Sequence, residues 1–105
     1  MNNQRPKMNK WTSTTDLKVL RRVGKAQEEL NELGCVLARV IIQGIDEIDP
    51  GSGKVNRQRL TEEVADVQAQ LQLIISQFNL DGLYINGRCS EKKRQMAEWE
   101  SLFDE

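Results

Sequence analysis

Four acidic residues stand out by type and spacing. Glu29 and Glu32 lie three apart in EELNEL at 28–33, and Glu63 and Asp66 lie three apart in EEVADV at 62–67. On a helix, residues three apart differ by about 60° and project to nearly the same side. The two segments also match each other. Shifted by 34 positions, Glu29 falls on Glu63, Glu32 on Asp66, Leu37 on Leu71, Val40-Ile41 on Ile74-Ile75 and Gln43 on Gln77. Two such helices packed antiparallel bring four carboxylates towards one place. Carboxylates so close repel one another unless cations sit among them. An all-oxygen ligand set suits Mg²⁺, with Mn²⁺ as a substitute.

A plainer reading competes with this one. Acidic residues near a helix N-terminus offset the macrodipole, and Lys25–Glu29 has the spacing of a surface ion pair. Either explains one motif alone. Neither explains two motifs in matched phase beside matched apolar stripes, so the metal site is the stronger expectation. Glu28 and Glu62 point elsewhere on their helices and are expected to face solvent.

The rest of the composition narrows the chemistry. The chain has no histidine, and its two cysteines, Cys35 and Cys89, form no CxxC pair. Zinc and His-based acid/base catalysis are therefore excluded as expectations. With 15 basic and 16 acidic residues, the net charge of −1 argues against non-specific binding to nucleic-acid backbones. The N-terminus is polar and Val40-Ile41-Ile42 is far too short to span a bilayer, so a cytoplasmic protein with reduced thiols and no membrane partner is expected.

The elements that must hold the carboxylates read as all-α. Residues 1–15 form an irregular N-terminal segment, and 16–105 form one helical domain. Thr12 to Asp16 offers several N-caps, and apolar residues then recur at three and four through Val19, Val23, Ala26, Leu30, Leu33, Leu37, Val40 and Ile41. Gly44 stops this helix, and Asp-Pro-Gly-Ser-Gly makes the following stretch a loop. Asn56, or alternatively Thr61, caps a second long helix with the stripe Leu60, Val64, Val67, Leu71, Ile74, Ile75 and Phe78. A second break spans Asp81-Gly82 to about Gly87, and Ser90 opens a shorter C-terminal helix. So short a chain buries little alone, so at least a dimer is expected.

EELNEL and EEVADV resemble the EExxE and EExxD motifs of the MazG-like all-α nucleoside triphosphate pyrophosphohydrolases, over about residues 16–100. The resemblance implies cleavage of a (deoxy)nucleoside triphosphate to monophosphate and pyrophosphate, with Mg²⁺ held by Glu29, Glu32, Glu63 and Asp66. It also implies a four-helix bundle completed by dimerisation, often as a pair of dimers. Nucleotide-pool sanitation is the expected role. Phosphoribosyl-ATP pyrophosphohydrolysis and a non-enzymatic helical adaptor are the alternatives.

Basic side chains would meet phosphate charge. By position these are Lys25, one turn before Glu29, Arg39, seven residues after Glu32, and Arg22, seven before Glu29. The resemblance adds Lys92, Lys93 and Arg94, although EKKRQMAEWE lacks the family's Lys followed by Asn and Arg. GSGK at 51–54 is not a P-loop, because Val55 follows the lysine and no strand precedes it. Lys54 and Arg57 are further loop cations. Trp11 is a candidate for stacking on a base, against the commoner role of packing, and Trp99 is expected in the core or an interface.

Overall fold

Asp16 opens the first helix, its carboxylate accepting the Lys18 N–H at 2.8 Å, which satisfies one of the free donors of the first turn. That helix, α1, runs Leu17–Gln43 and ends where Gly44 adopts a positive φ of 100°, its N–H donating to Val40 O. The second, α2, runs Asn56–Gln77, and the third, α3, runs Gly82–Ser101. These coordinates, a computed structural model, describe residues 10–104. Residues 10–16 are non-helical, and 1–9 of the expected N-terminal segment, 1–15, lie outside the described residues. No strand is present among the described residues, and none of their helices is long and apolar enough to cross a membrane.

α1 and α2 form an antiparallel pair. Arg22 Nε, early in α1, donates to Gln77 Oε1 at the end of α2, while the other end is tied from Asn56 to Gln43. The seam between them follows a strict three-four spacing. On α1 it comprises Arg22, Ala26, Glu29, Leu33, Val36 and Val40; on α2, Asn56, Leu60, Glu63, Val67, Gln70 and Ile74. Each member of the first set falls on a member of the second under the 34-residue shift, so the two helices present equivalent faces to each other. Val36 is fully buried, with Ala26 and Val67 nearly so.

This rotation corrects the expected stripe. Leu30, Leu37 and Ile41 on α1, and Val64 and Leu71 on α2, lie one position off the seam and are exposed. The carboxylates do not flank the packed face; Glu29 and Glu63 sit within it.

Two further expectations are revised. Asn56 does not cap α2: Val55 holds that position without a side-chain bond, and Asn56 is fully buried as the first helical residue. Its amide donates to Gln43 Oε1 at 2.9 Å and to Gly44 O at 3.0 Å, clasping the end of α1. The break to Gly87 is absent as well. Asp81 caps α3 by accepting the Tyr84 N–H at 3.0 Å, and the helix runs through Gly82 and Gly87. A glycine in an exposed helix costs only about 1 kcal/mol relative to alanine, a cost that a good cap offsets.

α3 buries none of its residues and makes only marginal contact with the pair. The radius of gyration, 19.5 Å, therefore exceeds the roughly 13 Å of a compact chain of this length. Trp99 is half-exposed and meets Phe103 edge to face at 5.2 Å, rather than lying in a core.

Candidate metal centre

Midway along the seam, Glu29 and Glu32 of α1 meet Glu63 of α2. Each supplies one carboxylate oxygen, and the three oxygens lie within 4.8 Å of one another. Glu29 is only 9% exposed, Glu63 is half-buried and Glu32 is exposed, so the cluster opens to solvent on one side. Asp66, the fourth expected ligand, is exposed and lies outside this close group. Its charge still raises the proton affinity of both Glu29 and Glu63.

The electrostatics follow from that placement. Burial is the largest cause holding the Glu29 carboxyl above its ordinary value of 4.5, followed by the charges of Glu32 and Asp66, with Lys25 opposing. Glu63 is raised in the same way, by burial and then by Glu32, Asp66 and Glu29, with Arg59 opposing. Glu29 Oε2 and Glu63 Oε2 are both buried and accept no hydrogen bond. Orphaned buried acceptors are costly, and clustered acids compound the cost. A hard divalent cation would relieve both, so the residues present fit Mg²⁺ or Mn²⁺.

The other expected residues divide. Lys25 reaches the cluster, its Nζ lying 3.7 Å from Glu29 Oε1 and 3.4 Å from Glu28 Oε2. Glu62 is turned away and pairs with Lys54 at 3.0 Å, as its phase requires, and Arg57 pairs with Asp46. Both loop cations are thus held in exposed ion pairs. Arg39 is exposed and forms no ion pair among the described residues. Lys92, Lys93 and Arg94 ride on α3, which is not brought to the cluster, and Arg94 is tied to Glu91 and Glu98. Trp11 is 92% exposed in this protomer and is not brought to the cluster. Cys35 and Cys89 are free, exposed thiols.

Sequence reasoning missed the support behind Glu63. Asp49 is buried in the loop and accepts from Ser52 N at 3.0 Å, Gln43 Nε2 at 3.2 Å and Arg59 Nη1 at 3.2 Å. The Gln43 hydrogen bond leads the causes that hold its carboxyl below the ordinary 3.8. Arg59, so anchored, lies one turn before Glu63 and counters its raised proton affinity. The available signal was the aspartate opening Asp-Pro-Gly-Ser-Gly, which reads as turn chemistry alone.

These opposed shifts set a pH dependence. Stability from the raised Glu29 and Glu63 is full below 4.5 and is lost as pH rises through their folded-state values. Asp49 acts oppositely, losing its contribution only as pH falls below 3.8 towards its depressed value. In chelator, the melting temperature is therefore expected to rise on mild acidification from neutral and to fall again in stronger acid. Saturating Mg²⁺ should reverse the first slope, because protons and metal compete for the same oxygens. A metal-free melting temperature that only declines from neutral pH downwards would contradict this account of the cluster.

The chain matches no protein-family model, no curated protein and no solved structure. What the fold and site define is a class: an all-α protein with a carboxylate cluster built across an antiparallel helix pair.

Proposed function

We propose that the protein is a Mg²⁺-dependent nucleotide pyrophosphohydrolase. The observation that carries the reading is the convergence of Glu29, Glu32 and Glu63, with two buried oxygens that accept no hydrogen bond. The resemblance of EELNEL and EEVADV to the MazG-like motifs supplies the reaction class.

Glu29, Glu32 and Glu63 would hold the metal, with Asp66 one turn beyond Glu63 contributing charge. When bound, a divalent cation supplies charge neutralisation to a polyphosphate and acidifies a coordinated water. The chain's own residues do the rest. Burial and neighbouring charges raise the proton affinity of Glu29 and Glu63, and a carboxylate oxygen of the cluster that the metal leaves free would take the proton of the attacking water. Water attacks the α-phosphorus and gives its proton to a carboxylate; the bond to the leaving oxygen breaks, releasing monophosphate and pyrophosphate. Lys25, already 3.7 Å from Glu29, meets phosphate charge at the edge of the cluster.

The exposed row Leu30, Leu37 and Ile41, with an α3 that buries nothing, supports assembly into a homodimer or homotetramer that completes a four-helix bundle. Light scattering should then give at least twice the 12.0 kDa chain mass at micromolar concentration, and a monomer would count against it. The test of activity is a panel of ribo- and deoxynucleoside triphosphates, with phosphoribosyl-ATP included, incubated with Mg²⁺ and resolved by chromatography. Monophosphate and pyrophosphate in equal amounts are expected. A chain that turns over none of them and is not stabilised by Mg²⁺ is no enzyme of this kind, and the adaptor reading replaces it.

A further inference from the structure

Beside the carboxylate cluster lies a cleft of about 490 Å³ between the start of α1 and the end of α2, lined by Lys18, Arg21, Arg22, Lys25 and Gln77. Its four cations stand at positions i, i+3, i+4 and i+7, which places them within an arc of about 100° over two turns. Within α1 alone this arrangement is unfavourable. Like charges three and four apart disfavour a helix, and cations near its N-terminal end oppose the macrodipole. The first turn of α1 carries no acidic residue, and the carboxylate of the N-cap Asp16 just before it accepts from the Lys18 N–H.

α2 brings no charged side chain to the cleft, only the partial negative charge of its C-terminal carbonyls. The residue facing the cleft from that side is Gln77, whose Oε1 accepts from Arg22 Nε at 3.0 Å. Among the described residues, Lys18, Arg21 and Arg22 form no ion pair, and only Lys25 does. In a chain whose net charge is −1, this is a concentrated positive site. Lys25 belongs to both places, lining the cleft while its Nζ lies 3.7 Å from Glu29 Oε1. The cation row thus begins at the carboxylates and extends about 10 Å along the helix away from them.

We propose that this cleft is a diphosphate subsite, in which Lys18, Arg21, Arg22 and Lys25 hold the two phosphates that leave together as pyrophosphate. The inference rests on the pyrophosphohydrolase reading and deepens it by giving the substrate a required length. A triphosphate reacting at the carboxylates extends its remaining two phosphates along the cation row. A diphosphate fills only half of it and is a poor substrate.

The test is titration calorimetry of the 105-residue chain with inorganic pyrophosphate, orthophosphate and sulfate, without nucleotide, comparing wild type with K18Q/R21Q. Both residues are exposed, so the variant is expected to melt no lower than wild type, which circular dichroism checks. Pyrophosphate should bind wild type more tightly than either smaller anion, and K18Q/R21Q should weaken it about ten-fold or more. The variant should also raise KM for triphosphates. Equal binding of pyrophosphate and sulfate, or unchanged affinity in the variant, overturns the subsite even if triphosphates are hydrolysed. Displacement of pyrophosphate by a single-stranded oligonucleotide at lower concentration overturns it in favour of a nucleic-acid groove. Selective pyrophosphate binding that the variant loses, in a chain that hydrolyses no nucleotide, upholds the subsite and rejects the activity instead.

Discussion

Glu63→Gln is expected to reduce Mg²⁺ affinity and turnover by roughly 100-fold or more, because it removes a charge from the centre of the cluster while keeping its shape. Altering a residue that merely hydrogen-bonds a metal ligand already costs on this scale, and Glu63 would be a direct ligand. The fold should survive. Without metal the variant should melt higher than wild type, since burial and the charges of Glu32, Asp66 and Glu29 all disfavour an ionised Glu63. Opposite movements of metal affinity and metal-free stability are the signature of a built site, and simple damage would lower both. Glu62→Gln is the neighbouring control; it loses only an exposed pair with Lys54 and should change stability and turnover little. Calorimetric Mg²⁺ titration, melting curves in chelator and the nucleotide assay check all three. If Glu62→Gln proved as damaging as Glu63→Gln, the assignment of faces on α2 would be wrong.

Asn56→Ala is the substitution expected to cost the fold most. It deletes two donated hydrogen bonds, to Gln43 Oε1 and Gly44 O, at a position with no solvent exposure. Losing buried donors of this kind costs about 2–3 kcal/mol in total, which in a domain of this size lowers the melting temperature by roughly 10–20 °C. The effect should reach the site. Gln43 also donates to Asp49, and Asp49 holds Arg59 one turn before Glu63, so loosening the clasp frees the cation that moderates Glu63. Asn56→Asp should be worse, because it aims a buried negative charge at two acceptor oxygens. Thermal melts followed by circular dichroism decide it. A drop of only a degree or two would mean that the clasp is incidental to the hairpin.

Much of the site was legible in the chain because it depends on spacing within single helices. Glu29 with Glu32, and Glu63 with Asp66, share a side of any helix they occupy, whatever packs against it. The 34-residue match made the two helices equivalent before their contact was known, and Asp16 and Gly44 marked the ends of α1 by local chemistry. The basic row from Lys18 to Lys25 was equally regular, but one wall of its cleft comes from Gln77 on another helix, so the cleft itself could not be seen.

What the sequence determined by itself was therefore local: an all-helical chain, two long helices in matched phase, and which acids travel together. The tertiary structure decided the rotation of those helices. Each carries a broad apolar arc, and Leu30, Leu37 and Val64 suit an inward position by type as well as Leu33, Val36 and Val67 do. Only the fit of one helix against the other selected the second set, and that choice carried Glu29 and Glu63 into the seam, where burial became the largest cause of their raised proton affinity. Other revisions share the same origin. Asn56 reads as a cap until its amide meets the end of α1, and Lys92, Lys93 and Arg94 can meet phosphate only if α3 lies near the carboxylates, which in this protomer it does not. Contacts between segments far apart in the chain settled these points, because sequence spacing specifies direction around one helix axis and not the distance between two.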